Sequence, residues 1–447
     1  MDGQSYTLLK DSYYGTGGYQ SGDYLLKHKR ETNADYQDRK RSAYYLNYFA
    51  PIVNALVDPI FKRKPLRDGN VAALGKQFLT DVDGHGTDIH CFMKQAGLVA
   101  KMYGVAFIVL DNYRVATGRA KNLSDMLQQR IFPYAYIVAP ENVLRYETNT
   151  KGELQSITFR EVENIQDGRI EYKEVTFTMQ GWKIEGDTHR EEGTYQLGRL
   201  PVVPLYSRLL DAQTVLPIPE LLAVAKTGAA IYNHCSWLSE ILRKQTFPLL
   251  TVPTLDATDM VVGNNNALGY APESGHAPAF IAPPSDPATI LQGQITGLIQ
   301  EMYRMAGLTF MTPQGNQISG ISRQWEFERT NQQLANFALQ CARAEEQVMT
   351  VFGRWINQEI RYTVSYPADF GIVDVAGELA EAQAVLDLGL GNGLKEEVLK
   401  RVLSVYCPEM EAGRAEELVN ELATEEETEK EDHKHSTAED EEQDEDE

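Results

Sequence analysis

The sequence predicts an α+β protein, mostly helical, with its strands gathered in the first half and its long helices in the second. Three patterns lead there. Short alternating apolar segments separated by turn pairs crowd residues 131–206. Apolar residues at three-four spacing dominate after residue 217. One such run extends over residues 322–361 with no proline and no glycine before Gly353, which at about 1.5 Å per residue makes a rod of roughly 60 Å.

Taken in order, residues 1–34 mix Tyr, Gly, Ser and charges without periodicity and read as a flexible arm. Over residues 35–61, Leu46, Phe49, Ile52, Val53, Leu56 and Ile60 mark one apolar face, a helix bent or broken at Pro51. A second helix over 89–103 runs into 105–111, whose β-branched and aromatic content predicts a buried strand. Strands follow at 134–138, 154–162, 170–179 and 202–206, so the first half holds an antiparallel sheet. Pro217 and Pro219 then open a helix ending at Arg243 and Lys244, whose charges suit its negative C-terminal end. Residues 245–285 form a small insert with strands at 247–252 and 279–281 and a turn at Gly263. Asp286 caps a further helix, which stops at Gly307. After the long run come three short helices, at 377–388, 394–405 and 409–422, and a disordered acidic tail.

With 447 residues, 43% of them hydrophobic, the chain can bury a substantial core as two to four domains or one elongated subunit. Cys91, Cys235, Cys341 and Cys407 lie far apart with no C-x-x-C pair, and the N-terminus lacks a secretion-signal pattern; both point to a reducing cytoplasm. Residues 98–110 are the most apolar stretch but contain Lys101 and fall short of the about 20 residues needed to cross a bilayer, so no membrane is expected as partner. The net charge is -22, opposite to a protein that grips nucleic acid through basic patches. Residues 425–447 hold fourteen acidic and two basic residues, so the tail carries -12 and the rest of the chain -10.

No G-x-x-x-x-G-K-[ST] loop occurs, and the imitations at Gly15 and at 389–395 lack its strand–helix setting. The chain is expected to be no enzyme, with no catalytic residue, no metal and no cofactor. The closest thing to a ligand cluster is Asp81, Asp83, His85, Asp88 and His90; its spacing matches neither a calcium loop nor a zinc hydrolase, while Thr87 or Asp88 suits a helix cap. A metal-dependent hydrolase centred on His85 and His90 is the distant alternative.

From Met305 to Ser322 no residue is charged. A structureless segment of that length is uncommon in a compact chain and usually functional. Thr309, Thr312, Gln314, Asn316, Gln317 and Ser319 offer weak, exchangeable hydrogen bonds, as in a channel constriction or a polar surface loop. Arg304 and Arg323 bracket the segment and would face either DNA or a neighbouring subunit's carboxylate. Trp325 and Trp355 read as core packing.

The order of these segments resembles the portal proteins of tailed, long-tailed bacteriophages. So do four local stretches: YYLNYFAPIVN at 44–54, LTDVDGHGT at 79–87, GVAFIVLD at 104–111 and GISRQWEFERT at 320–330. The resemblance covers roughly residues 35–422 and rests on the series, since no single motif is diagnostic. It implies a portal fold assembled as a ring, commonly a dodecamer, at a capsid vertex. Residues 1–34 would then be the arm, 35–217 the wing, 218–244 and 287–307 the two stem helices, and 245–286 the clip. The tunnel loop would be 308–320, the long wing helix with its following strand 321–372, the crown 373–424 and the tail 425–447. Implied partners are double-stranded DNA passing through without sequence preference, the terminase large subunit, the major capsid and scaffolding proteins, and a head-tail adaptor protein. Asp259, Asn264, Asn265, Asn266 and Tyr270 of the clip would meet motor and adaptor. Another oligomeric head-tail adaptor or virion structural protein is the alternative.

Overall fold

The computed structural model describes residues 3–112, 123–187, 190–208, 214–246, 249–253, 267–270, 277–281, 285–311, 320–370, 375–387, 392–406, 414 and 418–419. It divides into two units: residues 1–61 with 65–369, and residues 62–64 with 370–447.

The first unit opens with α1 (Gly3–Tyr14), α2 (Gly18–Ser21), α3 (Asn33–Ser42) and α4 (Phe49–Ala55). Next come β1 (Leu66–Gly69), α5 (Ala73–Thr80), α6 (Ile89–Tyr103), β2 (Val105–Asp111), α7 (Leu123–Gln128) and β3 (Tyr134–Val138). A run of strands follows: β4 (Val143–Thr148), β5 (Leu154–Gln166), β6 (Arg169–Thr178), β7 (Gly181–Glu185), β8 (Arg190–Thr194) and β9 (Val202–Tyr206). The remainder is α8 (Leu222–Thr246), β10 (Leu249–Pro253), β11 (Ala267–Tyr270), β12 (Ala279–Ile281), α9 (Asp286–Ala306), α10 (Gly320–Trp355) and β13 (Tyr362–Ser365). In the second unit α11 (Val375–Asp387) packs on α12 (Asn392–Tyr406). The expected third helix at 409–422 and the acidic tail lie almost wholly outside the described residues.

Strands and helices thus form an α+β fold in which helix predominates. The strand expected at 105–111 is β2, buried along its whole length as the centre of an antiparallel sheet ordered β3-β2-β9. One face of β2 (Val105, Phe107, Val109) shares a core with Ile157, Phe159, Val175 and Phe177 of the antiparallel meander β4-β5-β6-β7-β8. Because alternate strand residues point to opposite faces, Ala106, Ile108 and Leu110 are turned to the other side, where α6 and α10 pack. The result is three layers: meander, three-stranded sheet, helices.

The N-terminal residues are not a loose arm. Tyr6, Leu9, Tyr19 and Leu25 are buried, and the segment wraps α8. Leu26 N donates to Asn233 Oδ1 (2.7 Å), Asn233 Nδ2 to Tyr24 O (2.9 Å) and Tyr232 Oη to Tyr19 O (2.9 Å). Tyr19 stacks on Tyr45 at 3.8 Å between ring centres and meets Tyr24 and Tyr232 edge-on. Arg39, also buried, pairs with Glu31 (2.8 Å) and donates to Ser236 Oγ (3.1 Å). Aromatic rings with satisfied hydroxyls do here what a periodic apolar stripe does elsewhere.

The single bent helix expected over 35–61 is two. Residues 43–48 are non-helical between α3 and α4, and Pro51 sits in the first turn of α4, where its missing N–H costs no helical hydrogen bond. The long helix begins at Gly320 and ends at Trp355, with Asn357 beyond it in the left-handed region (φ 53°), so its 36 residues span about 54 Å.

A buried charge fixes α10 to the β1–β13 ribbon. Glu345 has no solvent exposure and receives Arg67 Nε (2.7 Å), Tyr362 Oη (2.5 Å) and Tyr366 Oη (2.7 Å). Burial, followed by the Glu345 carboxylate, raises the pKa of both tyrosines, so they remain hydrogen-bond donors. Removing the cation alone leaves a buried carboxylate uncompensated: Arg67→Met should lower unfolding stability by about 3 kcal/mol, measured by denaturant titration. For the N-terminal wrap, Asn233→Ala should speed protease cleavage between Tyr19 and Arg30 several-fold while the circular-dichroism spectrum stays that of the parent.

Candidate functional site

The candidate site is the path from α8 through the three-stranded insert and α9 to the start of α10. Helices α8 and α9 pack through Val224, Ala225, Ile231 and Cys235 on one side and Ile295, Met302 and Ala306 on the other. Met302, near the end of α9, lies against Gly228, near the start of α8, so the helices run antiparallel. Among the described residues, no helix is long and apolar enough to cross a membrane.

At the open end of this pair the insert forms a sheet ordered β11-β10-β12, parallel on one side of β10 and antiparallel on the other. Among the described residues, neither outer strand pairs with a further strand, the geometry that accepts an added strand. Phe280 in β12 is 70% exposed. Sequence reasoning did not single it out, because a three-residue strand is too short for alternation to assign a face. Of the five insert residues expected to bind partners, Tyr270 ends β11 opposite Pro253; Asp259, Asn264, Asn265 and Asn266 lie outside the described residues.

At the other end, α9 starts one residue earlier than expected: Ser285 is the cap position and Asp286 belongs to the first turn, where its charge favours the helix dipole. Arg304 lies in the last turn of α9. It is exposed and pairs with Glu301 one turn back at 2.6 Å, which raises the arginine pKa and lowers that of the glutamate. Gly307 stops the helix at φ 75°, and Leu308 N donates to Tyr303 O (2.8 Å). Leu308 is buried, and Thr309–Met311 make a turn of 3₁₀ helix, so the start of the neutral segment is ordered. Thr312, Gln314, Asn316, Gln317 and Ser319 lie outside the described residues, as does the side chain of Arg323 within α10. Of the six loop residues singled out from the sequence, the structure therefore places only Thr309.

The return into α10 is pinned by a contact no motif announces. Thr330 Oγ1, buried on α10, donates to Gly307 O at 2.5 Å. A Cβ on Gly307 would come within 2.7 Å of the Gln333 side chain. The neutral segment thus leaves α9 beside the third turn of α10, and about 15 Å of helix, residues 320–329, extends beyond that anchor.

The acidic and histidine cluster is occupied by its own loop. Asp81 accepts from Gly86 N (2.9 Å) and Arg130 Nε (2.7 Å), and Asp83 from His85 N (2.9 Å) and Thr87 Oγ1 (2.6 Å). Burial pushes both carboxyl pKa values up, but these hydrogen bonds prevail and hold them below the usual range. Asp88 caps α6 by accepting from Cys91 N (2.7 Å). Trp355 packs edge-on against Tyr195, with ring centres 5.5 Å apart.

No family model matches the chain, and no curated protein matches it. Among solved structures it is similar to a chain in the neck of an empty gene transfer agent particle computed with sixfold symmetry. The identity there is 10%, the match covers 89% of this chain and 93% of that one, and the TM-score is 0.47. A chain of the native gene transfer agent virion gives 9% identity, coverages of 88% and 98%, and a TM-score of 0.45. The neck of the native particle computed with twelvefold symmetry gives 11%, 78%, 88% and 0.42.

The Gly307–Thr330 anchor is testable. Thr330→Val keeps the shape and leaves a buried carbonyl unpaired, so it should cost about 1–3 kcal/mol, read from the thermal unfolding midpoint.

Proposed function

We propose that this chain is a portal-type virion protein: a non-enzymatic subunit of a ring at a capsid vertex, through which double-stranded DNA is packaged and released. The observation that carries the reading is one continuous piece of chain. An antiparallel helix pair bears a small three-stranded sheet at one end, and at the other passes through a charge-free segment into a 36-residue helix.

That arrangement fits a conduit. Each basic contact to a phosphate adds affinity and slows sliding, so a lining must touch the duplex without holding it. In this reading the pair α8–α9 forms the stem, the sheet β11-β10-β12 is the clip that meets terminase and then the adaptor, and residues 308–320 narrow the channel. Gln314, Gln317 and their polar neighbours supply weak contacts. An acidic chain repels DNA from the remaining wall within a Debye length of about 8 Å.

The test has two arms. Purified full-length protein under assembly conditions should show rings with a central hole by negative-stain microscopy; a strictly monomeric particle would refute the reading. Gln314→Lys with Gln317→Lys should leave the rings intact and slow DNA filling of capsids about tenfold or more, whereas unchanged filling would remove the neutral segment from the mechanism.

A further inference from the structure

The end of α10 meets the loop between β8 and β9 in a junction rich in hydrogen-bond donors and short of acceptors. Arg354 Nη1 donates to Leu197 O (2.8 Å), and Arg199 Nη2 donates to Gln347 Oε1 (3.3 Å), two turns back along the helix. Between these two loop residues Gly198 turns the chain at φ 64°, a left-handed conformation that glycine adopts freely. A guanidinium carries five N–H donors, and each of these two finds one neutral acceptor. Beside them Trp355 packs on Tyr195, whose hydroxyl donates to Thr178 O (2.6 Å). Among the described residues no acceptor reaches the buried Trp355 Nε1.

No anion offsets the two arginines. The chain holds 64 acidic residues against 42 basic ones, yet among the described residues neither Arg199 nor Arg354 is in ionic contact with a carboxylate. The two carboxylates of the adjoining turns of α10 are committed to the β1–β13 side: Glu345 to Arg67, Tyr362 and Tyr366, and Glu346 Oε1 to Val364 N (3.2 Å). Arg199 is partly buried; burial, then the nearby Arg354 charge, holds its pKa below the ordinary value. A cation drawn out of water toward a like charge is destabilised, and a bound anion reverses both effects. Gln347, Thr350 and Arg354 are exposed, so a ligand can reach the junction from solvent.

We propose that Arg199 and Arg354 form a binding site for a phosphate dianion, either the free ion or the terminal phosphate of a nucleic-acid strand. Guanidinium forks match phosphate oxygens in pairs. A terminal phosphate carries a charge of about -1.5 to -2 at neutral pH and three acceptor oxygens, so it balances two cations where a carboxylate balances one. The site lies within one copy and does not rest on the ring reading. Gly320 and Arg354 stand 34 residues apart on α10, about 51 Å along the rod. A phosphate held here therefore leaves the weak contacts of the neutral segment untouched.

The test uses the full chain, with binding measured by titration calorimetry. Inorganic phosphate at ten times its dissociation constant should raise the melting midpoint by about 1–3 °C over chloride of equal ionic strength. Arg199→Gln should lose that shift and, without phosphate, melt no lower than the parent, because it removes a like charge; a purely structural arginine would melt lower. Arg199→Lys, which keeps the charge without the fork, should bind phosphate about tenfold more weakly. Arg343→Gln, which removes a charge three turns back on the same helix, should keep the shift. A short oligonucleotide bearing a 5′-phosphate that binds about tenfold or more tighter than both its 5′-hydroxyl counterpart and inorganic phosphate would identify a strand end as the ligand; otherwise the free ion is the ligand. No phosphate-specific shift in the parent, or an equal shift in Arg199→Gln, would overturn the inference. So would a shift present in isolated copies and lost on assembly, which would give both arginines to carboxylates of a neighbouring copy.

Discussion

Everything in the first unit is organised around one buried ammonium group. Lys101, in the last turn of α6, has almost no exposure; it meets Glu220, just before α8, at 2.5 Å and lies 4.9 Å from the ring centre of Phe337 on α10. The contact to Glu220 is ionic, at an angle unfavourable for a hydrogen bond. A buried cation without a partner is costly, so α6, the entrance to α8 and the middle of α10 must arrive together. These three elements belong to the sheet-bearing layers, the antiparallel pair and the long rod, and one side chain makes their placement interdependent.

The same economy recurs at two further buried charges. Arg39 joins the N-terminal wrap to α8, and Glu345 joins α10 to the β1–β13 ribbon. Each sits where two segments distant in sequence meet, and each makes four hydrogen bonds. Such groups add little net stability over an apolar core, but they penalise any arrangement that separates the partners.

Much of this was legible from residue pattern alone. The helix over 89–103, the buried strand after it, the α8 and α9 pair and the long α10 all follow from three-four spacing, alternation and Pro or Gly punctuation. What escaped was held by long-range pairing. The wrap of residues 3–45 shows no period because its tyrosines bury individually against α8, and strands β4, β7 and β8 are polar on their outer face with few apolar inner positions. Thr330 is unremarkable in sequence, and its role depends on where Gly307 comes to rest. A register shift at Glu163 in β5 was equally hidden, since three-residue spacing of Val162 and Ile165 looks helical until the ladder is known.

The wrapping of α8 also bears on how the chain is made. The hydrogen-bond partners of its tyrosine-rich segment on α8 follow about 200 residues later in the chain, a delay of roughly 10–40 s at about 5–20 residues per second. Throughout that interval the tyrosine-rich segment lacks its native partners on α8. Newly made chains therefore expose this segment to premature association until α8 emerges.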